Sequence, residues 1–83
     1  MKNVKTISPD QVRELMYAVP SWARVLPNLA DDTPFPDSGM DSLALLELVS
    51  ELQRVYGLEI SDDDVEKMSS LAGTALYLSE RMK

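Results

Sequence analysis

The chain has 83 residues, enough for one domain with one small core. At 45 % hydrophobic residues it is too apolar to stay disordered, and with no Cys and no His it excludes disulfide staples, zinc fingers, thiol nucleophiles and Ser-His-Asp triads. Its net charge of −6 is concentrated: residues 31–67 hold eleven acids against Arg54 and Lys67, net −9, which disfavours nucleic acid and anionic membrane and favours basic protein partners.

One Trp, one Phe and three Tyr leave a mostly aliphatic core. Val and Ile do not alternate with polar residues over any useful length, so the pattern predicts an all-α fold. Residues 1–7 read as a flexible lead-in, followed by a single domain over residues 8–83. Met1 to Asp10 holds no apolar run, hence no signal peptide or membrane span, and a cytoplasmic protein is expected.

Ser8-Pro9-Asp10-Gln11 is a helix start, with Ser8 as cap, Pro9 at the first helical position and Gln11 closing a capping box. Val12, Leu15, Met16 and Val19 follow as one apolar stripe, and Pro20 is expected to stop this helix. Trp22, Val25, Leu26 and Leu29 again have helical spacing, but Pro27 interrupts it, which leaves a single helical turn or a packed loop. Ala30 to Met40, with Pro34, Pro36 and Gly39, reads as a long loop pinned to the core by Phe35.

The second main helix is expected from Asp41 or Ser42 to about Tyr56, capped by Asp41 and ended by Gly57. With Ser42 set at zero and about 100° per residue, Leu45, Leu48, Val49, Leu52, Val55 and Tyr56 fall on one core-facing side. Leu43 and Leu46 fall on the opposite, polar side with Glu47. Beside a capped serine they form either a docking patch or the seat of a folded-over loop. Leu58-Glu59-Ile60 is a short extended connection. Ser61 to Asp64 starts a short helix with three carboxylates at its positive end and Val65 and Met68 turned inward. Ser69 or Ser70 caps a last helix with Leu71, Ala75, Leu78 and Met82 on one stripe. Gly73 within it costs roughly 1 kcal/mol relative to Ala, so its first turn is expected to fray. The sum is a bundle of three main helices plus one short one, with a long first loop.

The stretch Asp37-Ser38-Gly39-Met40-Asp41-Ser42-Leu43, opening a strong helix after a Pro-rich loop, closely resembles the phosphopantetheine attachment site of acyl carrier proteins. Glu47-Leu48-Val49, Tyr56-Gly57-Leu58-Glu59-Ile60, the acidic segment from Asp62 to Lys67 and Tyr77-Leu78 match further family features in order and without gaps. The resemblance implies an acyl-carrier-like bundle that is not itself an enzyme. It implies 4'-phosphopantetheine as the cofactor, attached covalently to Ser42 by a phosphopantetheinyl transferase. The arm's thiol then holds the cargo as a thioester, which suits a chain without Cys. Asp41 is implied as N-cap and as a transferase recognition residue that helps hold its Mg²⁺. Leu43, Leu46 and Glu47 are implied as contacts for the transferase and for acyl-loading and acyl-processing enzymes. A monomer is expected.

The sequence also departs from fatty-acid carriers. Ala44 stands where an acid usually follows Asp-Ser-Leu, Ser50 where Met is common, and Gln53 and Arg54 where acids are common. These departures, with the distinctive Trp22–Pro27 segment, point to a free-standing carrier for a polyketide, specialised fatty-acid or other secondary pathway. The alternatives are a peptidyl or aminoacyl carrier and a helical adaptor without a prosthetic group. A calcium loop fails on ligand spacing, because Gly39 falls where an oxygen ligand is required. An intrinsic hydrolase lacks a nucleophile activator and an oxyanion site. Leu48, Leu52, Ile60, Val65 and Met68 line either a cargo shelter or, in the unloaded protein, a plain filled core.

Overall fold

Local caps set the elements of the computed structural model, which describes residues 6–82. Ser8 accepts from the Gln11 amide, and the Gln11 side chain accepts from the Ser8 amide, closing the expected capping box before α1, Pro9–Met16. One turn, α2, covers Pro20–Ala23. The longest helix, α3, covers Ser42–Tyr56, α4 covers Asp62–Val65, and α5 covers Leu71–Arg81. Short 3₁₀ turns at Leu26–Asn28 and Phe35–Ser38 punctuate the long connection between α2 and α3. The described residues contain no strand. The fold is all-helical, with α1 packed against α5 and overall dimensions of 39 × 24 × 20 Å.

Two expectations about the first helices change. The helix ends at Met16 instead of running to Val19, because the amides of Ala18 and Val19 bond to Leu15 and Met16 in a tightened last turn. Pro20 then begins α2 instead of merely ending α1. It forces Val19 into an extended conformation (φ −101°, ψ 108°), and Val19 stays buried as the cap of the new turn. The ambiguous 21–29 stretch is this turn plus a 3₁₀ turn, with Trp22, Leu26 and Leu29 buried.

The connection is tied down by long-range bonds. Arg13 donates to the carbonyls of Leu26 (2.6 Å) and Leu29 (2.8 Å) and pairs with Asp31 (2.8 Å). Phe35 is fully buried, and its amide donates to the Ser69 carbonyl at 2.6 Å. Ala72 donates to the Asp31 carbonyl at 2.8 Å. That bond and the Ser70 cap on the Gly73 amide hold the first turn of α5, so it does not fray as expected. Gly73 has a packing reason: an added Cβ would lie 3.2 Å from the Lys67 carbonyl oxygen. At the other end of the chain, Ile7 is buried, and its backbone exchanges hydrogen bonds with the Ser79 hydroxyl. Of the expected lead-in, residues 1–5 lie outside the described residues.

The core face of α3 is Ala44, Leu48, Val49 and Leu52, with Leu45 and Tyr56 half-buried against it. Val55, expected on that face, is 44 % exposed. It sits in the last turn, where Tyr56 and Leu58 take the covered positions instead. Met68 is buried and Val65 is half-buried against the core. The acids at the start of α4 do not act as a set. Asp62 and Asp63 are exposed, while Asp64 accepts from the Tyr77 hydroxyl at 2.7 Å and pairs with Lys67 and Arg81. The Tyr77 bond, helped by the two cations, holds the Asp64 carboxyl below the usual carboxylate range, and burial pushes the Tyr77 hydroxyl up. Thr74 on α5 is the one buried polar residue among those described. Its hydroxyl has no hydrogen-bond partner there, an arrangement that costs about 1–3 kcal/mol.

Candidate functional site

The entry to α3 is shaped by a turn that only glycine makes easily. Phe35–Ser38 winds as 3₁₀, closed by the Ser38 hydroxyl on the Phe35 carbonyl at 2.6 Å. Gly39 then adopts φ 87°, ψ 8°, a left-handed conformation that costs other residues about 1–2 kcal/mol. Its surroundings are open, since an added Cβ would meet nothing within 4 Å, so φ and not crowding demands the glycine. The chain re-enters extended geometry at Asp41, whose Oδ1 accepts from the Ala44 amide at 3.0 Å and whose carbonyl accepts from Leu45 at 3.1 Å.

Ser42 is the first residue of α3 and is exposed. Its hydroxyl has no hydrogen-bond partner among the described residues, and the amides of Ser42 and Leu43 have no acceptor there either. One exposed hydroxyl therefore stands beside two free N–H groups at the positive end of a fifteen-residue helix, where a phosphodiester is stabilised. The residues present fit such a group: nothing among the described residues competes for the hydroxyl, and the approach over Gly39 is open.

Leu43 and Leu46 lie one turn apart and are 65 % and 56 % exposed, so no loop folds over them. Glu47 is exposed as well. Asp41, Ser42, Leu43, Leu46 and Glu47 thus share the first two turns of α3, on the side away from the core.

The phosphopantetheine attachment site family matches residues 19–78, a span that contains this whole arrangement. The chain belongs to the acyl carrier protein family. Along 79 residues it is 35 % identical to the anthracycline acyl carrier protein DpsG of Streptomyces peucetius, covering 93 % of each chain. It is 38 % identical over 56 residues to an acyl carrier protein of Chloroherpeton thalassium, covering 66 % of this chain and 70 % of that one. It is also 39 % identical over 62 residues to a segment of the non-reducing polyketide synthase stbA of Stachybotrys bisbyi, covering 74 % of this chain and 3 % of the synthase. The prosthetic group of this family is phosphopantetheine.

Two features of this acyl carrier's site escaped sequence reasoning. The Trp22 indole Nε1–H donates to the Ala44 carbonyl at 2.9 Å, and the Ser21 hydroxyl bonds to the Glu47 carboxylate. The α2 turn is therefore fastened along the first two turns of α3, next to the exposed leucines. The only sequence signal was negative: Ala44, where an acid is usual, leaves room for a neighbour, and Ala44 is only 5 % exposed. Charge on α3 is muted as well, since Glu51 is paired with Arg54. Among the described residues no helix is long and apolar enough to cross a membrane.

Proposed function

We propose that this chain works as a monomeric carrier that holds acyl intermediates as thioesters on a 4'-phosphopantetheine arm attached to Ser42 Oγ. On this reading residues 8–83 form one carrier domain, acting in the cytoplasm without nucleic-acid or membrane partners and catalysing nothing itself. The observation that carries it is the unpartnered, exposed hydroxyl of Ser42 at the head of α3, inside the matched family segment. When bound, the arm supplies the thiol that a chain without Cys lacks.

The chain's own residues hold and present that arm. Ser42 Oγ is the anchor, and the amides of Ser42 and Leu43 donate to the phosphodiester. Asp41 keeps α3 capped through one carboxylate oxygen and leaves the other for the metal of a phosphopantetheinyl transferase. Leu43 and Leu46 seat the transferase and the acyl-loading and acyl-processing enzymes, with Glu47, oriented by Ser21, at the edge. A polyketide or other secondary pathway is supported by similarity to a carrier whose name specifies anthracyclines and to a segment of a polyketide synthase. Incubation with a transferase and coenzyme A should raise the intact mass by one phosphopantetheine. An unchanged mass would refute the reading.

The docking role has its own test. Leu46→Asp should slow arm attachment and acyl transfer by about tenfold or more, the range of an interface anchor, while leaving stability within about 0.5 kcal/mol. A large fall in melting temperature would instead make Leu46 a core residue. The muted charge of α3 gives a second expectation: raising salt across the physiological range should weaken partner binding only modestly. A steep loss, measured by titration of a partner at several ionic strengths, would contradict the leucine-led interface.

A further inference from the structure

Among the described residues the cations of this chain are committed, with one exception. Arg13 pairs with Asp31 and Arg54 with Glu51, while Lys67 and Arg81 share Asp64. Arg24 is exposed and has no ion pair or hydrogen bond among the described residues. Acids to pair with are not scarce, since the sequence holds 14 against 8 Lys and Arg. Solubility does not call for this cation either. At a net charge of −6 it only lowers the magnitude that keeps chains apart in solution.

Its place in the fold gives it a task. Arg24 closes α2 in right-handed helical geometry (φ −74°, ψ −32°), three residues after Ser21, so the two share one side of the turn. Ser21 bonds to Glu47, and Trp22 bonds to the Ala44 carbonyl. The unpaired guanidinium therefore stands on the flank of the exposed patch made by Leu43, Leu46 and Glu47. The argument rests on the proposed docking of partner enzymes on that patch. Even a small transient interface, about 500 Å² a side, exceeds two leucines and extends onto the adjoining turn. There a wholly basic partner surface meets repulsion from Arg24, whereas a carboxylate is paired through the two parallel bonds a guanidinium offers. We propose that Arg24 is a specificity residue: it selects partner enzymes whose docking face sets a carboxylate against the α2 turn, beside an apolar seat for the leucines and a cation for Glu47.

The test uses a phosphopantetheinyl transferase as the docking probe and reads kcat/KM for arm attachment. Each Lys and Arg on the transferase's carrier-binding face is changed singly to Glu, and every version is assayed with wild type, Arg24→Lys, Arg24→Gln and Arg24→Glu. At one transferase position the added glutamate should be about 2- to 5-fold more favourable with wild type than with Arg24→Glu, the size of an exposed ion pair, and the difference should shrink at high salt. Arg24→Lys should keep most of that preference, and Arg24→Gln should fall between. Lys67→Glu makes the same change of net charge outside α2 and α3, and should not couple to that position. Absence of coupling at every position, or equal coupling with Lys67→Glu, would overturn the proposal. So would a melting temperature of Arg24→Gln far below wild type, which would make Arg24 a structural residue. Failure of the carrier function itself looks different, since no version of the protein would gain an arm.

Discussion

Ser42→Ala protein, given a phosphopantetheinyl transferase and coenzyme A, is expected to keep its unmodified mass while wild type gains one arm completely. The reason is chemical, since alanine offers no oxygen to form the phosphodiester. The fold should not suffer. Ser42 is exposed, its side chain holds nothing, and the cap on α3 comes from Asp41. Stability should therefore stay within about 0.5 kcal/mol of wild type, and urea unfolding should superimpose. The other serines nearby are poor substitutes. Ser38 spends its hydroxyl on the Phe35 carbonyl, Ser21 is engaged with Glu47, and Ser50 lies more than two turns into α3, away from the free amides. An arm on the alanine variant, seen by intact mass and located by peptide mapping, would remove Ser42 from its proposed role. No arm on wild type would remove the function altogether.

What the sequence made legible was local. Capping signals act over three or four residues, so Ser8 with Gln11, Asp41, Ser61 and Ser70 could all be read as helix starts, and Gly57 as an end. The helical period alone placed Leu43 and Leu46 opposite Leu48 and Leu52. What stayed hidden depends on residues far apart in the chain. Arg13 reads as an ordinary surface charge on a helix, yet it satisfies carbonyls at Leu26 and Leu29. Ser21 and Glu47 are 26 positions apart, and neither carries a pattern that announces the other. Val55 has the right angle for the core but sits where the helix runs out of cover. Thr74 is a different case. Its spacing from Leu71 and Leu78 puts it on the apolar stripe, and only packing reveals that its hydroxyl is enclosed without a partner among the described residues.

Trp22→Ala is expected to cost about 3–5 kcal/mol, the range for deleting a fully buried large aromatic. A small domain has a total stability of about 5–15 kcal/mol, so the variant should lose most of its margin, with a urea midpoint far below wild type. The size of the effect follows from how many parts meet at this side chain. The ring stands edge-on to Phe35, with centroids 4.8 Å apart, and so links α2 to the loop before Ser42. Its indole N–H is bonded to the Ala44 carbonyl, which links α2 to the first turn of α3. Trp22→Phe separates the two contributions: it keeps much of the apolar volume but loses the indole bond, and should cost less than alanine. If alanine and wild type unfolded at the same urea concentration, the α2 turn would not belong to the cooperative core. The same contact bears on the alanine at position 44. An acid in place of Ala44, which is 5 % exposed, would have to be buried beside the residue whose carbonyl takes the indole bond. Ala44 and the Glu51–Arg54 pair leave α3 less charged, which supports the proposed leucine-led recognition.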